Sequence, residues 1–212
     1  MRSRWFGLAV AAVAIAFSIW AYPRLPDRIP THWDSRWEPN GYSSRLFGVL
    51  LMPLIILAVT GIAQVLPRID PRRANYEKFI GVYWLMINGI ILLMGAIHVA
   101  VVGNALGAPV NVARLIPLSI GLLFVLLGRY FRRVEPNWFL GIRTPWTLSS
   151  DTVWRKTHRI GGWLFVIGGL LMMTCAFVAN AAVYVVFGIT IALVAVVPIV
   201  LSYVLWRREQ PR

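Results

Sequence analysis

Long apolar runs alternate with short polar segments along the whole chain. The runs are Trp5 to Tyr22, Leu46 to Leu66, Phe79 to Val102, Val112 to Gly128, Ile160 to Ala179 and Ala181 to Trp206. Each approaches or exceeds the roughly 20 residues a helix needs to cross the hydrocarbon of a bilayer. In lipid, backbone N–H and C=O groups must be satisfied internally, so such runs read as helices. The pattern predicts an all-α, polytopic membrane helix bundle with six transmembrane helices. Pro53 and Pro117 fall inside two of the runs, which membrane helices tolerate where neighbours satisfy the freed carbonyls. Asn180 marks a tight turn, so the last two runs form an antiparallel hairpin. Gly161, Gly162, Gly168 and Gly169 supply the small surfaces that let membrane helices approach closely. The first run is long for a signal peptide and lacks a clear cleavage site before Pro23, so it is read as an uncleaved helix.

The polar segments give the orientation. The N-terminus, second loop, fourth loop and C-terminus hold 2, 4, 7 and 3 Lys and Arg, against 4, 0 and 0 in the first, third and fifth loops. Basic loops stay on the cytoplasmic side, so both termini are expected in the cytoplasm. Three segments follow: a helical hairpin over 1–66 with an extracytoplasmic loop 23–45, a basic cytoplasmic loop and third helix over 67–111, and a C-terminal region over 112–212 with a cytoplasmic loop 129–159 and the final hairpin.

Composition agrees. The chain is 58% hydrophobic and 14% charged, with a mean hydropathy of +0.69, whereas soluble domains carry roughly 25% charged residues. The net charge of +13 would suggest nucleic acid in a soluble protein. Here the basic residues follow topology and meet anionic membrane lipid, so no direct nucleic-acid contact is expected. Cys175 is the single cysteine, which excludes an intramolecular disulfide and a cysteine metal cluster. No cofactor is expected. Asn88 and His98 lie within the third run, where polar residues face the bundle interior; His98, near its end, is read as a hydrogen-bonding residue.

Two polar segments carry candidate chemistry. The first loop, PRLPDRIPTHWDSRWEPNGYSSR, has four prolines that oppose helix. Pro39, Asn40 and Gly41 read as a turn, because Pro sets φ and Asn-Gly tolerates positive φ. His32, Asp34 and Glu38 are its polar ends; they are read as solvated, with a small metal or ligand site as the alternative.

The second segment, NWFLGIRTPWTLSSDTVWRKTHRIGG over 137–162, is a polar and aromatic island between apolar runs. Gly141 and Pro145 punctuate its irregular first half, and Ser149, Ser150 and Asp151 offer cap and first-turn chemistry for a helix entering the fifth run. On that helix Trp154 and His158 share one face, and Arg155 and Arg159 a neighbouring one. By composition the island reads as an amphipathic elbow on the membrane surface. In that reading Trp138, Trp146 and Trp154 dip into lipid and the arginines meet phosphates.

The string GIRTPWTLSSDTVWRKTHRIGG resembles the signature of the SdpI family of bacterial membrane proteins. Asn137, Gly141, Ile142, Arg143, Thr144, Pro145, Trp146, Thr147, Leu148, Trp154, Thr157, His158 and Gly162 fit it. Leu25, Pro26, Ile29, Pro30, His32, Trp33, Asn40 and Gly41 resemble an uncharacterised domain that often precedes that signature. Trp37 stands where a Gly is commonly seen. The resemblance implies a multi-pass protein of the bacterial cell membrane that confers immunity to a secreted, membrane-active peptide toxin and signals to a cytoplasmic transcriptional regulator.

On this reading Trp33, Trp37 and Tyr42 offer aromatic surface to an outer ligand, and binding biases the bundle between two arrangements. Arg143, Arg155 and Arg159 face the regulator, and Asp151 pairs with one of them. The signature residues Asn137, Gly141, Arg143, Thr144, Pro145, Trp146, Thr147, Asp151, Trp154, Thr157, His158 and Arg159, with His32, Trp33, Asn40 and Gly41, are the candidate ligand- or partner-binding set; none is assigned as catalytic or metal-ligating.

Two rival readings are a membrane-embedded metal-dependent enzyme and a small-solute transporter. Against the first, Asp151 and His158 stand two helical turns apart, too far to pair directly. Against the second, the spans lack Asp, Glu or Lys near mid-membrane, where proton-coupled carriers usually need one. The orientation is checked by cysteine labelling: an impermeant reagent added outside is expected to reach Ser35→Cys and not Ser149→Cys, and the reverse result refutes it.

Overall fold

The computed structural model describes residues 3–34, 38–178 and 182–210. Helix α1 covers Phe6–Ala21 and ends in a single 3₁₀ turn. Strands β1 (Arg28–Trp33) and β2 (Pro39–Ser44) form an antiparallel hairpin. Then come α2 (Arg45–Ile69), α3 (Tyr76–Ala105), α4 (Val112–Phe131), the short α5 (Pro145–Ser149), α6 (Asp151–Thr174), α7 (Ala182–Ile191) and α8 (Val197–Glu209). A π-helical turn over Ala192–Val196 joins α7 to α8. The molecule is an all-α membrane bundle with one small hairpin added. Among the described residues, five helical stretches are long and apolar enough to cross a membrane: Phe6–Arg24, Arg45–Ile69, Arg73–Ala105, Val112–Phe131 and Ala182–Glu209. The predicted fifth run is the apolar part of α6, whose opening turns carry Arg155, Lys156 and Arg159. That helix stops at Thr174, short of the predicted Ala179, in a turn over 175–177. Asn180 lies outside the described residues.

The helix ends follow local chemistry. Ser44, Asn111, Thr144 and Ser150 are N-caps of α2, α4, α5 and α6, each accepting a backbone N–H from the first turn. α2 runs through Pro53 and Pro67, three residues past its predicted end. The first loop departs most from expectation. Pro39, Asn40 and Gly41 lie in strand β2 rather than in a turn, and the chain reverses between Asp34 and Glu38. Pro39 opens its strand, where a missing N–H is tolerated. Gly41 faces His32, and a Cβ added there would stand 2.8 Å from the His32 Cβ. The glycine thus serves a close strand approach.

α4 and α6 make the broadest helix–helix contact. A Cβ at Gly121 would lie 2.4 Å from the Gly169 carbonyl oxygen, and one at Gly169 would lie 2.5 Å from that of Gly121. Gly128 and Gly162 repeat the arrangement at 2.4 and 2.7 Å. The helices are therefore antiparallel with their backbones touching, the packing by which membrane helices associate without a hydrophobic driving force. Two of the four glycines read as small approach surfaces, Gly162 and Gly169, serve this crossing. Gly168 faces the final span at Val194, whereas Gly161 packs first against Ile142 of the island. α1, α2 and α3 also pack on one another, and α3 packs on α4. Ser18 Oγ donates to the Val49 carbonyl and lies 2.9 Å from His98 Nε2, so His98 is a buried hydrogen-bonding residue. Tyr83 OH donates to the Ala63 carbonyl at 2.6 Å. Val13, Ile19 and Leu122 are 66%, 70% and 62% exposed, the outward apolar surface that lipid covers.

Because Gly162 abuts a backbone carbonyl that cannot rotate away, Gly162→Val is expected to destabilise the protein by about 3 kcal/mol. The check is thermal unfolding of the purified protein in detergent, where the midpoint should fall by several degrees.

Candidate functional site

The two segments singled out by sequence stand at opposite ends of the bundle. α2 starts at the β-hairpin and ends at the island, and its 25 residues span about 37 Å at 1.5 Å per residue.

The island is built on side chains that replace lost helical hydrogen bonds. After α4 the chain is irregular over 134–144. Asn137, fully buried, accepts from the Phe139 and Leu140 amides at 2.9 and 2.7 Å and donates to the Glu135 and Leu140 carbonyls. Thr144 and Thr147 form a reciprocal capping box for α5, and Thr147 Oγ1 also donates to the Ile142 carbonyl. Thr144 Oγ1 lies 2.9 Å from Ser202 Oγ on α8. Pro145 occupies the first turn of α5, and Trp146 packs on Tyr203 with centroids 5.0 Å apart. Ser150 Oγ donates to Glu209 at 2.7 Å. The island thereby clasps the C-terminal helix.

His158 is the pivot. Its Nδ1–H donates to the Trp154 carbonyl, and Nε2 accepts from the Ile142 amide, both at 2.9 Å. With both ring nitrogens occupied, the tautomer is set and the imidazole is neutral. Burial pushes its pKa down to about 4, opposed by the bond to the Trp154 carbonyl. Trp154 stacks on the imidazole at 4.1 Å and donates its indole N–H to the Val134 carbonyl. Gly141 has φ +117°, and a Cβ there would stand 2.4 Å from His158 Nε2. Only glycine brings the loop onto the ring. The expected Trp154–His158 face is real, but Trp154 is fully buried; it is a core residue and no lipid anchor. Thr157 is buried beside them, its hydroxyl oxygen without a hydrogen-bond partner.

The partner of Asp151 is also different from expectation. Its carboxylate accepts from Arg72 Nη1 at 2.7 Å, while Arg72 Nη2 donates to the Leu148 carbonyl at 3.1 Å. Arg143, Arg155 and Arg159 instead point outwards and are exposed; Arg143 donates to the Trp138 carbonyl. The loop before α3 supplies further groups that sequence reasoning missed. Asp70, 2% exposed, accepts from the Arg72 and Trp138 amides at 2.7 and 2.9 Å and from Tyr76 OH at 3.0 Å. Tyr76 OH is also 3.3 Å from Asn137 Oδ1, and Asn75 donates to the Pro136 carbonyl. Asp70 was an ordinary loop residue in the sequence.

At the other end, His32 and Asn40 meet across the hairpin, Nδ1 to Oδ1 at 2.5 Å, and Gly41 stands opposite His32. Asp34 Oδ1 accepts from the Glu38 amide. Among the described residues no three His, Cys, Asp or Glu side chains gather as a metal-ligand set. A cleft of about 300 Å³ opens between β1 and the helices, lined by His32, Trp33, Leu51, Met52, Ile97 and His98 among others. Its walls are mostly apolar with a few polar groups, the usual make-up of a binding cleft.

His158 precedes the apolar part of α6, and its low pKa links pH to stability. The unfolded imidazole takes a proton near pH 6.5 while the folded one does so near 4. Its contribution is complete above pH 6.5 and is lost as pH falls towards 4, by on the order of 3 kcal/mol. Thermal unfolding in detergent across that window should show this loss, and His158→Gln should flatten it while lowering the midpoint at neutral pH.

Residues 133–202 match the family model described as SdpI/YfhL protein family, and residues 9–57 match a domain of unknown function, DUF1648. The chain is similar to a protein named Immunity protein SdpI from Bacillus subtilis (strain 168), with 23% identity over 203 residues, covering 96% of this chain and 95% of that one. No solved structure matches. The DUF1648 match takes in β1 and β2, and the family match takes in the whole island from α4 to α8. The chain is a multi-pass cell-membrane protein whose island and final helices match the SdpI/YfhL family model, after a match to the DUF1648 model over the first hairpin.

Proposed function

We propose that this protein is a membrane immunity protein that takes a membrane-active peptide toxin at its hairpin cleft and signals to a cytoplasmic regulator through the island. The observation that carries the reading is similarity to Immunity protein SdpI along 96% of the chain, joined to an open, mostly apolar cleft at the hairpin end. Six crossings, with both termini inside, put the hairpin outside and the island in the cytoplasm. The cleft then lies where an amphipathic peptide meets the outer leaflet. Trp33 lines it and Tyr42, 55% exposed, stands on the neighbouring strand. Tryptophan and tyrosine are the residues on which binding energy concentrates.

The route inwards is α2 and α3, which reach from the cleft to Asp70, Arg72 and Tyr76. A ligand that favours one packing of these helices shifts the bundle by its differential affinity for the two arrangements. At the island the shift is felt by Trp138, 46% exposed, and by Arg143 and Arg155, a basic and aromatic face for an acidic surface on a soluble partner. No step in this scheme makes or breaks a covalent bond, and no side chain is assigned to catalysis.

Trp33→Ala combined with Trp37→Ala is expected to remove at least one hot-spot contact, about 2 kcal/mol or 30-fold in affinity. Cells carrying the variant, challenged with membrane-depolarising peptides and followed with a potential-sensitive dye, should lose protection while the protein level holds. Undiminished protection against every such peptide would refute the cleft as the toxin site. Arg143→Glu with Arg155→Glu is expected to abolish membrane recruitment of the regulator and leave protection intact.

A further inference from the structure

We propose that the cleft between the end of α4 and the start of the apolar part of α6 seats the headgroup of an anionic phospholipid. The cleft is about 290 Å³ and is lined by Arg129, Arg132, Arg159, Trp163, Gly128 and Gly162, among others. Three arginines therefore line one space, Arg129 and Arg132 at the end of α4 and Arg159 on α6. No Asp or Glu lines it, and among the described residues none of the three arginine side chains has a hydrogen-bond or ion-pair partner. A positive residue in the last turn of α4 is accounted for by the helix dipole. The dipole does not account for Arg159, which comes from the opening turns of α6. Three like charges around a common space repel one another unless an anion sits between them.

The shape of the cleft has a structural cause. Gly128 and Gly162 touch through their backbones, so no side chain rises from the floor. Its depth in the membrane fits as well. The fourth apolar run ends at Gly128 and the fifth begins at Ile160, so the arginines stand where hydrocarbon gives way to phosphate. Trp163, one turn deeper and 66% exposed, is an indole at the level where interfacial aromatics collect. Below it Ile167 and Leu170 are 47% and 55% exposed, an apolar wall continuous with the cleft along which acyl chains can lie. A phosphodiester is the anion such a site recognises: guanidinium forks match its oxygens in a bidentate fashion. Basic pockets at the cytoplasmic ends of helices suit anionic headgroups. A soluble phosphate would fill the charged part and leave the apolar wall unused, which favours the lipid.

The test uses the full chain purified in detergent, with bound lipid read by native mass spectrometry after equal additions of phosphatidylglycerol and phosphatidylcholine. Wild type is expected to retain phosphatidylglycerol preferentially, and excess inorganic phosphate is expected not to displace it. Arg159→Gln alone should weaken retention about fivefold, and the triple change Arg129→Gln, Arg132→Gln, Arg159→Gln should abolish the preference. Arg207→Gln with Arg208→Gln, at the end of α8, should leave it in place. Thermal unfolding confirms that each variant is folded, and if the triple variant is not, the single Arg159→Gln decides. Equal retention of the two lipids, an unchanged preference without these arginines, or an equal loss in the α8 double variant would overturn the proposal. Displacement by inorganic phosphate would reassign the cleft to a soluble anion.

Discussion

A chain that leaves a helix at the end of a membrane span must give each buried backbone N–H and C=O a new partner. The island meets that requirement with side chains. Asn137 bonds four backbone groups of its own turn, Thr144 and Thr147 cap α5, His158 receives the Ile142 amide, and Trp154 holds the Val134 carbonyl. These contacts explain why the residue types of the island are so specific. Alanine at any of them would leave a buried donor or acceptor unmet, at about 1–3 kcal/mol each. His158 fits the scheme only as a neutral ring, because a proton on Nε2 would face the Ile142 N–H donor to donor.

The glycine crossing of α4 and α6 is the frame on which this loop is hung. Backbone contact at Gly121–Gly169 and Gly128–Gly162 sets the spacing between the helix that enters the island and the helix that leaves it. With that spacing given, Phe131 reaches the His158 ring at 5.7 Å and Ile142 fills the notch at Gly161. The same contact leaves an open floor under Arg129, Arg132 and Arg159. One packing choice therefore shapes both the loop and the basic cleft beside it.

The island is also where distant parts of the chain meet. Arg72 and Asp70 reach it from the α2–α3 connection, and Ser202 and Glu209 reach it from α8. The α2–α3 connection thus holds backbone groups of the island directly, at Leu148 and Trp138.

Sequence alone determined the parts governed by local rules. Apolar run length gave the helices because lipid admits little else, and Ser150 ahead of Asp151 marked the start of α6 because a hydroxyl there satisfies a free N–H. The 3.6-residue period put Trp154 over His158. Tertiary structure decided what depends on contacts between residues far apart in the chain. Asp151 has three arginines nearby in sequence, yet the one that reaches it is Arg72, because α2 brings the chain to the island end of the bundle before α3 begins. Asp70 had no distinguishing neighbour until Trp138 and Tyr76 folded onto it. Gly162 and Gly169 are indistinguishable by composition from Gly161 and Gly168, and only the rotation of α6 sets the first pair on α4, Gly168 on the last span and Gly161 on Ile142. The hairpin stayed hidden because four prolines and an Asn-Gly pair imitate turns, while its strand pairing rests on the opposite segment, which no local pattern encodes.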